Sequence, residues 1–341
     1  MEKNLKVQGF VLLDVDVVAL NNAGLSKATN NDNVGKTKSI TKNGSSYVYV
    51  SGQAWRYWWR KSLQENYGWN MSPISFGKNK KIAYTSVDPV TYPDDDVFGY
   101  MKAEGNSPVT RVSPLKNSAL ISVASVRPVV NWSNMMRQDD TPVPFFREEY
   151  SAVLKGMFSV DVNMVGTFSS YNKSGFQNIT EDFKKKVLKS SGVVEIPDSV
   201  YNGTLIRLPL ETRIKRISDS LSALKFISGG AIQTEDMSDV TPKFIVLATT
   251  TTGNHPFSHI AVSSGDWDEK AILNVKGIEE VINDYKETFV GKIFIGRRSG
   301  FFDDDDNDLK ALADKYKDLV EYLSVNEAID QYVGQIKEQM K

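Results

Sequence analysis

"YVYVSGQAWRYWWRKSLQENYG", Tyr47 to Gly68, reads as a strand running into a helix, and the joint between them decides the fold. Tyr47 to Val50 alternates aromatic and β-branched residues, Ser51 is a good N-cap, and Gly68 can close a helix in the left-handed region. On that helix Trp55, Trp58, Trp59 and Ser62 fall at the i, i+3, i+4, i+7 spacing of one face, which predicts burial of the three tryptophans. Gln53, Arg56 and Arg60 form a second row that burial does not explain. They lie toward a helix N-terminus, where free N–H groups and the positive dipole end favour phosphate.

Working outward, Val7 to Leu20, "VQGFVLLDVDVVAL", has the pattern of a central strand, and Asp14 and Asp16 rule it out as a signal peptide or membrane span. Asn21 to Ser46 is a polar, Gly/Asn-rich stretch whose lysines face a single acid, Asp32, so we expect a long loop that contacts an anion. The proline-punctuated region 69–149 predicts an inserted subdomain with a helix start at Asp94 and one strand over Ala119 to Val130. Tyr150 to Phe168 and Lys243 to Thr252 are β-prone, Pro209 to Ser228 reads as a helix, and Gly291 to Arg298 as a strand with a basic end. The last residues, from Asp308, read as one or two amphipathic helices. The order suits an α+β, ferredoxin-like or RRM-like sheet with large excursions.

The 341 residues are 40% hydrophobic and 24% charged, enough for a sizeable core, and the formal net charge is −1. With no cysteine, disulfides, thiolate metal sites and a cysteine nucleophile are excluded, which fits a cytoplasmic protein without membrane contact. The acid is concentrated at Asp94–Asp96, Glu235–Asp239 and Asp303–Asp308; without the aspartate runs the body is mildly basic, with clusters at Lys78–Lys81, Lys184–Lys186, Arg213–Arg216 and Arg297–Arg298. His255 and His259 are separated by Pro256 and lack the glutamate of a zinc helix, and neither a phosphate-binding P-loop nor a nucleophile elbow occurs. The aspartates from 303 to 306 lack the spacing of a calcium loop and read as a solvated charged loop. No catalytic residue, metal or cofactor is expected, and binding to a nucleic-acid backbone is the leading reading.

"GFVLLDVDVVALNNAG", the basic Gly/Asn loop, "VYVSGQAWRYWWRKS" and "VDVNMVGTF" together resemble the CRISPR-associated backbone subunits of type I surveillance (Cascade) complexes, the seventh Cas family of DevR type in the RAMP superfamily. "DDDVFGYM" with "RVSPLKNSALISV" resembles the type I-B branch. In that family a strand leads into "SSQ" and a helix with basic residues three and seven positions after the glutamine; Ser51, Gln53, Arg56 and Arg60 fall on this pattern, with Gly52 in place of the second serine. The family's "G-R-M" strand end is here Gly166, Thr167 and Phe168.

The resemblance implies a right-hand-shaped subunit with an RRM-like palm, an inserted finger subdomain and a thumb hairpin. On this chain that gives a palm over 1–68, fingers over 69–149, palm and thumb over 150–300, and C-terminal helices over 301–341. It implies that copies polymerise along one crRNA guide with other Cascade subunits and present it to target DNA. Ser51, Gln53, Arg56 and Arg60 would hold guide phosphates, Asn21, Asn22, Lys36 and Lys38 would line the same groove, and Phe168 would wedge between bases. Two rivals stand beside this reading: a guide-dependent RNA endonuclease using Asp32, and a small-molecule binding module lined by the tryptophan helix.

Overall fold

The apolar run near the N-terminus forms a 13-residue strand, β1 (Lys6–Val18), at the middle of the main sheet. The computed structural model describes residues 4–25, 34–77, 83–103, 108–135, 141, 143–171, 177–189, 192–265 and 269–341. After β1 come β2 (Asn22–Leu25), β3 (Val34–Thr37), β4 (Ser39–Lys42), β5 (Ser45–Val50) and α1 (Gly52–Tyr67). Residues 69–149, read from the sequence as an insertion, contribute α2 (Pro93–Phe98), β6 (Leu115–Asn117), β7 (Leu120–Ser122) and β8 (Val129–Met135). Then follow β9 (Val143–Asp161), β10 (Thr167–Phe168), α3 (Glu181–Val187), β11 (Val194–Pro197), β12 (Thr204–Arg207) and α4 (Leu210–Ser222). The chain continues through β13 (Phe244–Thr250), α5 (Val275–Asp284), β14 (Ile293–Arg297), α6 (Asp306–Lys315), β15 (Val320–Leu323) and α7 (Val325–Gln339).

Three expectations change. The stretch from Asn21 to Ser46 holds short strands in its described parts, and the single strand over Ala119 to Val130 is two, β7 and β8. The interruption falls at Val123 to Pro128, where Pro128 removes a ladder donor and Ser125 gives its N–H to Glu269. The C-terminal helices are separated by β15, which pairs in parallel with β14.

The sheet is mostly antiparallel, in the order β15-β14-β13-β1-β9-β7-β5-β4. Its middle four strands and two helices follow one another as β1, α1, β7, β9, α4, β13, and stand in space as β13-β1-β9-β7. Because β1 is buried on both sides, Val7, Val11, Leu13 and Val15 enter one core with α1, α4 and α7, while Phe10 and Leu12 enter another with α5 and α6. That two-sided burial is why its sequence is nearly continuously apolar. Among the described residues no helix is long and apolar enough to cross a membrane.

Helix α1 has the ends its sequence called for: Ser51 Oγ accepts the Ala54 N–H at 3.3 Å, and Gly68 takes φ 64°. Trp55, Trp58 and Trp59 are 0–5% exposed. Trp59 Nε1 donates to the Ser220 carbonyl at 2.7 Å, and its ring meets Phe158 edge-on at 5.1 Å. Phe158 in turn lies across Gly9, its β1 partner, where an added Cβ would sit 2.1 Å from the ring. Gly9→Ala therefore overpacks the centre of the sheet at a cost of about 1–3 kcal/mol, and a melting temperature lower by roughly 3–10 °C is expected by circular dichroism. An unchanged transition would show that Phe158 can move aside freely.

The acids of α2, which the sequence marked as a helix start, are buried. Asp96 is 0% exposed, accepts the Gly166 N–H at 2.9 Å, and pairs with Arg111 and with Arg216 Nη1 at 2.5 Å. Arg111 also donates to the carbonyls of Met164 and Thr167, and Arg216 to those of Pro89 and Val90. One carboxylate thus ties the insertion to the 164–168 turn and to α4. Arg213, also buried, donates to the carbonyls of Val162 and Val165. The cluster Arg213–Arg216, expected to add positive surface, is mostly interior; Lys215 alone of its cations is largely exposed, and it pairs with Asp219.

Candidate nucleic-acid interface

The N-terminus of α1 opens into a cleft of about 640 Å³ lined by Ser51, Gln53, Arg56, Ser113, Lys116 and Asn117 among others. Three chain segments converge there. Asn21 Oδ1 accepts the Ser51 N–H at 2.8 Å, the Asn21 carbonyl accepts the Lys38 N–H, and the Lys38 carbonyl accepts the Tyr49 N–H. The β6 side closes in as Asn117 Nδ2 donates to the Gly52 carbonyl at 3.1 Å. A side chain at 52 would approach the Ser118 carbonyl to 3.1 Å, which accounts for glycine at this position. Asn22 and Lys36 lie one strand pair away, on β2 and β3.

Gln53 is exposed, and Lys36, Lys38 and Arg60 are half-buried. Arg56 is different from the simple phosphate ligand the sequence suggested. Its guanidinium donates to the Leu115 and Phe98 carbonyls, both at 2.7 Å, and to Asn117 Oδ1 and Ser113 Oγ, both at 2.9 Å. It is therefore a strut between the helix and the insertion. Every one of those acceptors is neutral, so among the described residues its charge has no carboxylate paired with it. Burial first, and then the neighbouring Arg60, push its pKa down to about 10, so it stays charged at neutral pH. Arg60 stacks over the Phe98 ring at 5.6 Å, beside Arg56 at 5.0 Å, and has no hydrogen-bond or ion-pair partner among the described residues. The buried Asp94 responds to Arg60: burial raises its pKa and the arginine contributes to lowering it. Lys116, Ser113 and Asn117 were missed by sequence reasoning. Only the "SPLKNS" tract, polar between two apolar runs, could have pointed to them.

Phe168 does not present a wedge. It is 1% exposed, packed with Ile179 and Ile206, with the Arg111 guanidinium 4.4 Å from its ring centre. The reason is the Asp96 hub, which draws Arg111 across the strand end. Arg297 is likewise committed, to Asp303, Asp306 and the Tyr322 hydroxyl, so the aspartate run is a helix-start clamp rather than a free loop. His255 Nε2 lies 2.9 Å from the Gly9 carbonyl and packs against Phe257. The burial of all three α1 tryptophans leaves the small-molecule reading without its pocket wall. Asp32 and Lys78–Lys81 lie outside the described residues.

The arrangement has the fold of chains found in RNA-guided surveillance complexes. A solved chain titled "CRISPR RNA-guided surveillance complex, pre-nicking" superposes with a TM-score of 0.58 at 12% identity, covering 97% of this chain and 99% of that one. Another, titled "CRISPR RNA-guided surveillance complex", gives 0.54 at 12% identity with the same coverage. The chain belongs to the family described as "CRISPR-associated negative auto-regulator DevR/Csa2", which residues 11–270 match. No curated protein sequence matches it.

Proposed function

We propose that this protein is a non-catalytic backbone subunit of a type I CRISPR surveillance complex, and that it holds the phosphate backbone of the crRNA guide in the cleft at the start of α1. The charge beside the start of α1 carries the reading: Arg56, whose terminal N–H donors are taken by neutral acceptors, contributes a fixed positive charge, and Arg60 next to it and Lys116 on the cleft wall keep donors for phosphate. Backbone contact is the chemistry such a subunit needs, because sequence is read by base pairing between guide and target DNA. The strand order β13-β1-β9-β7, with α1 and α4 as crossovers, supports an RRM-like palm. The excursions within 69–149 would then serve as fingers, the β10–β12 region as the thumb, and residues 301–341 as a C-terminal cap. Several copies would repeat along one guide beside other Cascade subunits, and the "DDDVFGYM" and "RVSPLKNSALISV" blocks support the I-B branch.

Co-expression with a cognate CRISPR array tests this. The purified protein is expected to carry RNA of discrete length and, given Mg²⁺ and complementary RNA, to leave that RNA uncut. RNA-free protein would sink the reading, and cleavage at regular spacing that Asp32→Ala abolishes would favour the endonuclease.

A further inference from the structure

One row of residues crosses the main sheet as Phe244, Leu12, Lys155, Ile121 and Tyr49, each the register partner of the next. The first two are fully buried beneath α5 and α6, whereas Lys155, Ile121 and Tyr49 are only half-buried. With Ile40 and Met157 they line an open slot of about 310 Å³, at the small end of ligand sites. The slot and the cleft at the start of α1 both have Ala119 in their lining, so the two adjoin.

The slot's chemistry is that of a flat, uncharged ring held next to a polyanion. An aromatic, four aliphatic or thioether side chains, a hydroxyl and an amine line it, and no carboxylate does among the described residues. Among the described residues Lys155 Nζ reaches only two carbonyl oxygens, Ala261 at 3.3 Å and Ser258 at 3.5 Å, both at long range. Burial, and then the neighbouring Lys42, lower its pKa. An amine so placed has donor capacity left for an incoming acceptor.

We propose that this slot takes one nucleobase of the strand whose phosphates occupy the cleft, with Tyr49 stacking on the ring and Lys155 donating to a ring or carbonyl acceptor. The proposal rests on the phosphate reading of the cleft, and abasic backbone separates the two. Fluorescein-labelled single-stranded oligouridylate and an abasic oligomer of equal length serve as probes in anisotropy titrations at fixed salt. The wild type is expected to bind oligouridylate about tenfold tighter. Tyr49→Ala and Lys155→Met are each expected to erase that preference while changing abasic affinity less than about twofold. Tyr49→Phe retains it, and circular dichroism confirms that each variant is folded.

Equal wild-type affinity for both probes overturns the slot and leaves the cleft standing; wild-type binding to neither overturns both. Variants that weaken both probes equally, or that change only self-association in sedimentation, also overturn it; the last outcome would make the slot a contact between copies.

Discussion

Asp96→Asn is expected to lower the melting temperature by about 10 °C, or to prevent recovery of soluble protein. The substitution keeps the shape and one acceptor oxygen, so it opens no cavity. What it removes is the only countercharge that Arg111 and Arg216, which are 2% and 5% exposed, have among the described residues. Breaking a buried ion pair from one side costs about 3–5 kcal/mol, because the remaining charge stays desolvated. At roughly 2–4 °C per kcal/mol for a large domain, the transition moves by that amount. The Gly166 N–H, which Asp96 also accepts, loses its anionic partner and the turn before β10 loosens with it. A transition within 2–3 °C of wild type, followed by differential scanning fluorimetry, would show that the carbonyls around the two arginines suffice to hold their charge.

The second large effect is on binding. Arg60→Ala with Lys116→Ala removes one cationic side chain from the cleft wall and one from beside Arg56, and neither has a hydrogen-bond or ion-pair partner among the described residues, so little stability is lost. Charge-assisted hydrogen bonds contribute about 1.5–3 kcal/mol each, so affinity for single-stranded RNA is expected to fall about a hundredfold at low salt. The slope of log affinity against log salt should also become shallower by about 1.4, at ~0.7 per phosphate lost from a single strand. Arg56→Ala is a poorer test, since its four donated hydrogen bonds join α1 to the insertion. An unchanged salt slope in the double variant would place the phosphates elsewhere.

What the sequence revealed depended on how local the signal was. The start of α1 was readable because capping and 3.6-residue spacing act within a few positions, and Ser51, the tryptophans and Gly68 are where those rules put them. β15 escaped because "VEYL" continues the amphipathic pattern of its neighbours, and only pairing with β14 makes it a strand. The arginines of α4 were misread for a similar reason. Arg216 is interior because of a carboxylate 120 residues earlier, and nothing in "RIKR" announces that partner. Phe168 followed the same hub inward, whereas Lys116 gained its place in the cleft only when β6 paired with β9. For the candidate interface, the helix half was legible and the insertion half was not.

The placement of β1 also sets a schedule for the chain's birth. Its ladder partners are β9, which begins at Val143, and β13, which ends at Thr250. At roughly 5–20 residues per second of synthesis, β1 waits on the order of ten to fifty seconds before its second neighbour emerges. Throughout that interval a strand destined for burial on both faces has an open, apolar edge, the kind of surface that chaperones hold and that aggregation exploits. Lower growth temperature and chaperone supply during expression should therefore govern the yield of this protein more than any property of its finished surface.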